Sequence, residues 1–379
     1  MSRVSEPVEG PDGQTVSQAT RQEPASLPFL DSIRGLSALW VVIGHCRAEL
    51  EGTGRFSPHG PLGWLALINE TLAVPVFIVL SGFLLTSPHV DWTWTRWKGP
   101  WAFMQRRIKR IYPAYLAALA LILIALFTVP YLGPLATVRG QIALPVTWPS
   151  VLAHVVMVHN YWPDFFHKID PPMWSLALEW QIYLAFALVM VPMAKKWNVN
   201  GLLAGIVLCS VVTMKIDPTF GALTMAFGLG SVVAWMALKA DVLGRWPALR
   251  AVVFLLSVAS GLLSLTHFVK PIMAQALATA AAAGIIFLLM QYRSVPKEQL
   301  PKYVAWLNWR PLVVLGWFSY SLYLIHYPIV SFVSSLTWNN HVPEGPSTIA
   351  VMVVAPAVSM FVAYWFAVVF EHRGRPKVA

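Results

Sequence analysis

The sequence predicts an all-α fold, a polytopic membrane bundle of about ten transmembrane helices with the N- and C-termini cytoplasmic. Three observations predict it. The first is composition: 57% of the 379 residues are hydrophobic and 12% are charged, the mean hydropathy is +0.61, and soluble domains carry about 25% charged residues. That chain cannot coat a globule with water-compatible surface, and a disordered polymer is excluded for the same reason. The second is the recurrence of apolar stretches close to the roughly 20 residues that cross a bilayer. The third is charge placement. With the N-terminus inside, 21 of the 27 Lys and Arg residues fall in inner segments, as the positive-inside rule requires. This asymmetry explains the net charge of +10 without a nucleic-acid partner. Cys46 and Cys209 are the only cysteines and lie in apolar runs, so no disulfide framework is expected.

Taken in order, residues 1–27 hold Pro, Ser, Gln and Glu without an apolar run. They read as a disordered cytoplasmic tail and not as a signal peptide. Spans are predicted near 30–50, 66–87, 110–130, 172–193, 200–215, 219–238, 249–267, 271–291, 311–335 and 347–370. Residues 28–371 thus form one membrane domain and 372–379 a second cytoplasmic tail. The longest outer segment, 131–171, contains VLAHVVMVHNYW, too short to span and read as re-entrant or interfacial.

An ionisable side chain within a span costs about 3 kcal/mol or more and marks a candidate site. His45, Glu179 and His326 are of this kind. Span directions put His45 and Glu179 both roughly 8–10 Å below the outer surface, with His326 in the same half. A base and an acid from distant helices are therefore expected to meet, Glu179 pairing with His45. His326, flanked by Tyr323 and Tyr327, reads equally as a functional group and as a packing residue or interface anchor.

Arg34 and His45 form Arg-x10-His. Eleven residues at 100° each run about 20° past three whole turns, so both side chains share one helix face about 16 Å apart along the axis. By itself Arg34 reads as a topogenic charge beside Asp31. Beneath a buried histidine it suits a long ligand with an anionic head in the cytoplasm, and the pantetheine arm of coenzyme A has that reach. RRIKRIYPAY, residues 106–115, adds Arg106, Arg107, Lys109 and Arg110 at the mouth of span three, with Tyr112 and Tyr115 on one face. Arginine forks suit phosphates, and the same charges also suit anionic lipid headgroups.

Other motifs carry less. His159 and Asp164 form His-x4-Asp, but Pro163 interrupts it in an outer loop. Ser81 lacks a nucleophile-elbow context and with Gly82 reads as a site of close helix contact. No Cys/His ligand cluster, GxGxxG, P-loop or HExxH occurs, so no metal and no permanently bound cofactor are expected.

LDSIRGLSALWVVIGH (30–45), FIVLSGFLL (77–85), RRIKRIYPAY (106–115), MWSLALEWQIYL (173–184) and SYSLYLIHYP (319–328) resemble the ordered motifs of the acyltransferase-3 family of integral membrane acyltransferases. The resemblance runs from about residue 27 to 371. It implies acyl-CoA-dependent O-acyltransfer, often of acetyl from acetyl-CoA, to a hydroxyl of a cell-surface glycan, lipopolysaccharide or macrolide, in a bacterial inner (plasma) membrane. Arg34 and His45 correspond to the family's Arg-x10-His, and Glu179 to the first carboxylate of its Trp-Ser-Leu segment. Trp180 stands where many members have a second acidic residue, and Ser32 where many have Gly, so Glu179 has no neighbouring carboxylate.

On this reading Arg106, Arg107 and Arg110, with Arg34 and Tyr112, hold the acyl-CoA. His45 acts as general base or becomes acylated, Glu179 fixes its tautomer, and Tyr323 or His326 donates to the thioester oxyanion. Trp148, Tyr161, Trp162, Phe165 and Phe166 offer stacking faces for an acceptor sugar, or form an interfacial belt. The alternative is a proton-coupled transporter or exporter with His45, Glu179 and His326 as a relay; it leaves Arg-x10-His unexplained.

Overall fold

The computed structural model describes residues 27–55, 67–240, 242–266 and 269–371; the two expected tails lie outside the described residues, except Leu27. No strand occurs among the described residues. The helices are α1 (Pro28–Gly52), α2 (Val74–Thr86), α3 (Pro100–Thr128), α4 (Trp148–Val155), α5 (Met173–Ala185), α6 (Val191–Met214), α7 (Pro218–Leu238) and α8 (Val242–Arg245). They continue with α9 (Leu249–Ser264), α10 (Pro271–Leu289), α11 (Lys302–Leu307), α12 (Arg310–Trp317), α13 (Ser319–Asn339), α14 (Glu344–Ile349) and α15 (Ala355–Phe370). Prolines stand in the first turn of many of them, as in α1, α2, α3, α7 and α10. There the missing N–H is one the helix would not use.

Six helical stretches among the described residues are long and apolar enough to cross a membrane, or seven when the bent pair α12–α13 is counted as one. The expected ten are not all reached. α1 has the length, 25 residues, but Asp31, Arg34, Arg47, Glu49 and Glu51 dilute its hydropathy. α9 is too short. α12 and α13 meet at 73°, breaking the predicted span 311–335 at Phe318. The stretch Met173–Met214 is continuous by helix assignment yet carries non-helical angles at Trp197 and Asn198. A Cβ on Gly201 would lie 1.9 Å from the Met193 carbonyl oxygen. Residues eight apart touch only if the chain folds back, so spans 172–193 and 200–215 are the arms of a hairpin.

Backbone-to-backbone contact fixes the bundle around the site. A Cβ on Gly82 of α2 would meet the Phe227 oxygen of α7 at 1.9 Å, and one on Gly230 would meet the Val79 oxygen at 2.0 Å. Small residues let the two helices touch, and Ser231 Oγ donates to the Gly82 carbonyl at 3.3 Å. α1 lies on α12 in the same manner, Gly316 against the Asp31 carbonyl. Residues of α1, α2, α5 and α13 face a common interior.

Candidate active site

Three cavities follow one another through that interior. The basic mouth, of about 910 Å³, is lined by Arg34, Arg106, Arg107, Lys109 and Arg110, with Asp31 and Glu371. It shares Arg34, Ser81, Arg107, Arg110 and Tyr183 with a central cavity of about 90 Å³, which adds Ser175, Glu179, Trp180 and Tyr323. The central cavity shares Val74 and Tyr323 with a far cavity of about 180 Å³, where His45, Glu70, Arg139, His167 and Tyr327 stand. Arg34 and His45 thus border opposite ends of one row, as their shared helix face requires.

The guanidinium of Arg34 is mostly buried and 3.5 Å from Asp31. Arg107 lies over the rings of Phe103 and Tyr183, 5.4 and 5.8 Å from their centroids, and its Nε is buried without a hydrogen-bond partner. Flat aromatic support orients the guanidinium fork and leaves a donor unfilled. Tyr112 does not line the mouth; its ring packs edge-on against Trp180 at 5.2 Å. Tyr115 is buried and donates to the His154 carbonyl at 2.9 Å.

Glu179 and His45 do not meet, which corrects the expected pairing. The Glu179 carboxylate accepts hydrogen bonds from Ser81 and from Tyr183, in the central cavity with Arg34, Arg107 and Arg110. Glu179 stands with the arginines, one cavity short of His45, so the two do not share the level expected of them. Ser81 is thus a carboxylate partner, and of the two residues Gly82 provides the close helix contact.

His45 packs against two rings of α13: His326 at 5.2 Å with planes 38° apart, and Tyr327 edge-on at 5.2 Å. Its Nδ1 is buried without a partner. His326 is 0% exposed, and its Nδ1 lies 2.9 Å from the Tyr323 oxygen and 3.1 Å from the Leu322 oxygen. Tyr323 stands between the central and far cavities, where its hydroxyl donates to Pro172 O at 3.0 Å and shares a 2.6 Å bond with Ser175.

Several residues around the far cavity escaped the sequence reading. Glu49, one turn beyond His45, is fully buried and accepts from Thr137 Oγ1 at 2.8 Å and Tyr327 at 3.2 Å. Glu70 bridges Arg47 at 3.4 Å and Arg139 at 3.1 Å, tying the 131–143 segment to α1. Burial, and then the Arg139 charge, pulls His167 below the ordinary imidazole value. Asp170 is buried with neither carboxylate oxygen hydrogen-bonded, and burial raises it well above the usual carboxylate range.

The outer-segment motif is not a catalytic pair. His159 stacks on His154, centroids 3.6 Å apart, while Asp164 is exposed. Burial lowers His154 to about 4 and His159 to about 2. Trp148 is 80% exposed, and Tyr161 and Trp162 are exposed as well. Phe165 packs on Trp162 at 6.1 Å. Phe166, half-buried, is engaged in stacks with Trp174 and Phe220.

A family model described as an acyltransferase domain matches residues 27–369. The chain is 25% identical over 360 residues to the O-acetyltransferase OatA of Staphylococcus aureus (strain NCTC 8325 / PS 47), covering 88% of this chain and 55% of that protein. It is 26% identical over 362 residues to the peptidoglycan O-acetyltransferase OatA of Listeria monocytogenes, covering 84% and 52%. It is 24% identical over 336 residues to the acyltransferase MdmB of Streptomyces mycarofaciens, covering 81% and 79%. The chain therefore spans about half the length of the OatA proteins it matches. No solved structure matches it. With the model match running across the membrane helices and all three cavities, the chain belongs to the acyltransferase-3 family of membrane acyltransferases.

Proposed function

We propose that the protein moves an acyl group, acetyl in the simplest case, from acyl-CoA to a hydroxyl of a carbohydrate or macrolide-type acceptor, with His45 as general base. The observation that carries this reading is the row of cavities with shared walls, guanidinium groups at one end and an imidazole at the other. The charge asymmetry of the loops turns the arginine end toward the cytoplasm, in a bacterial inner (plasma) membrane. Arg34, Arg106, Arg107 and Arg110 hold the phosphates of the donor. The pantetheine arm runs along α1 over the roughly 16 Å between Arg34 and His45. Tyr323, at the wall shared by the central and far cavities, leaves Pro172 to let the thioester through and donates to its oxyanion. Glu179 holds Ser81 and Tyr183 and offsets the arginine charge in the central cavity.

An alcohol is a poor nucleophile at neutral pH, so the step needs a base. His45 takes the hydroxyl proton while the acceptor oxygen bonds to the acyl carbonyl carbon; the C–S bond breaks and the proton passes to the departing thiolate. The products are the ester and free CoA, and His45 returns unchanged. The names of the OatA relatives support acetyl as the group and carbohydrate as the acceptor. A proton relay through His45, Glu179 and His326 has less support, since Glu179 and His45 line different cavities.

Labelled acetyl-CoA, purified protein and peptidoglycan fragments or macrolides test the reading. The wild type transfers label and His45→Ala lowers the rate by about 100-fold or more. Transfer retained by His45→Ala refutes the base role.

A further inference from the structure

His326 lies behind His45, away from the far cavity, and its hydrogen bonds fix which nitrogen carries its proton. Nδ1 faces two carbonyl oxygens, Tyr323 O at 2.9 Å and Leu322 O at 3.1 Å. Carbonyls only accept, so Nδ1 holds the hydrogen and Nε2 of the neutral ring keeps a lone pair. That Nε2 is buried without a hydrogen-bond partner, and so is Nδ1 of His45. The two rings stand 5.2 Å apart, centroid to centroid. An imidazole nitrogen lies about 1.1 Å from its ring centre, so an N–H···N bond of about 3 Å sets the centroids about 5.2 Å apart. Two orphaned buried nitrogens thus belong to rings whose centroid spacing admits an N–H···N bond, which a change of ring tilt would form.

We infer that His326 is the positioning partner of His45: its Nε2 lone pair accepts the Nδ1 proton of His45 and leaves the Nε2 lone pair of His45 to act as the base. The inference rests on the acyltransfer reading above. It gives His326 the place that a carboxylate holds beside many catalytic histidines. It also removes His326 as an oxyanion donor, since its Nε2 has no proton to give. Two neighbours hold the pair from other sides. Tyr327 stands edge-on to His45 with its hydroxyl on Glu49 at 3.2 Å, and the Tyr323 ring lies 5.9 Å from His326.

The test uses the full chain in lipid nanodiscs with labelled acetyl-CoA and soluble peptidoglycan fragments. His326→Leu is expected to lower kcat roughly 100-fold while KM for acetyl-CoA changes less than about twofold. His326→Gln, whose side-chain oxygen accepts a hydrogen bond, is expected to keep at least about tenfold more kcat than His326→Leu. In the His45→Ala background, His326→Leu is expected to cost less than about twofold further, because the two residues act as a unit. A loss below about threefold for His326→Leu overturns the inference, as does equal loss for Leu and Gln, or an undiminished loss in the His45→Ala background. If His326→Leu does not fold, His326→Gln decides: kcat within about tenfold of wild type supports the pairing, and a fall to the His45→Ala rate overturns it. No transfer by the wild type defeats the acyltransfer reading itself, full activity of His45→Ala defeats the base role, and an active His326→Leu beside an inactive His45→Ala defeats the pairing alone.

Discussion

Arg107 is the residue whose surroundings are most specific to a flat, two-pronged cation. Its guanidinium lies over Phe103 and Tyr183, borders both the mouth and the central cavity, and keeps one buried donor unfilled. A lysine ammonium cannot reproduce the fork or the stacking. Arg107→Lys and Arg107→Ala are both expected to weaken CoA binding by about tenfold, about 1.4 kcal/mol, measured by isothermal calorimetry on detergent-solubilised protein; tight binding to Arg107→Lys refutes the assigned fork. At this scale Arg34, His45, Glu179 and His326 were legible in the sequence because charge within an apolar run stands out. Asp31 beside Arg34 was legible too, but Ser81 as the partner of Glu179 was not, nor was the buried Glu49. Glu49 sits near a helix end, where it passes for a loop charge, and its ligands Thr137 and Tyr327 come from positions 88 and 278 residues away.

At the scale of the helices, contact between α2 and α7 depends on the absence of two Cβ atoms. Gly82→Ala puts a methyl 1.9 Å from a backbone oxygen, overpacking that costs about 3 kcal/mol and lowers the unfolding midpoint by about 5 °C or more. Gly345→Ala, with nothing within 4 Å, leaves the midpoint unchanged; differential scanning fluorimetry in detergent compares the two. The stacked His154 and His159 of the outer segment make a second prediction. Folding holds both neutral, at about 4 and about 2, while the unfolded chain protonates near 6.5. Unfolded protein therefore binds more protons below that value. Stability is full above pH 6.5 and falls as pH drops through 6 and 5, by up to about 1.4 kcal/mol per pH unit for each imidazole. His159→Phe is expected to flatten that decline, and an identical pH profile for wild type and variant argues against it. Helix positions were readable from apolar length, and so was the division of Met173–Met214 into two spans, where Asn198 turns the chain before Gly201. The 73° break at Phe318 was not, since it interrupts an unbroken apolar run.

For the whole molecule, the family, the all-helical architecture and the grouping of basic residues at one mouth followed from residues alone. The separation of the interior into three cavities did not, because it depends on the level at which α5 packs: Glu179 sits with Ser81 and Tyr183 in the central cavity and His45 is left to α13. The central claim is that one donor molecule threads this row from arginines to imidazole. A cryo-electron microscopy structure of the protein with a non-transferable thioether analogue of acetyl-CoA tests it most directly. The account predicts phosphates against Arg107 and Arg110, the Tyr323 hydroxyl withdrawn from Pro172, and the acetyl carbonyl carbon about 3.5 Å from His45, within near-attack range. An analogue held wholly within the basic mouth, with Tyr323 still bonded to Pro172 and His45 out of reach, would contradict it.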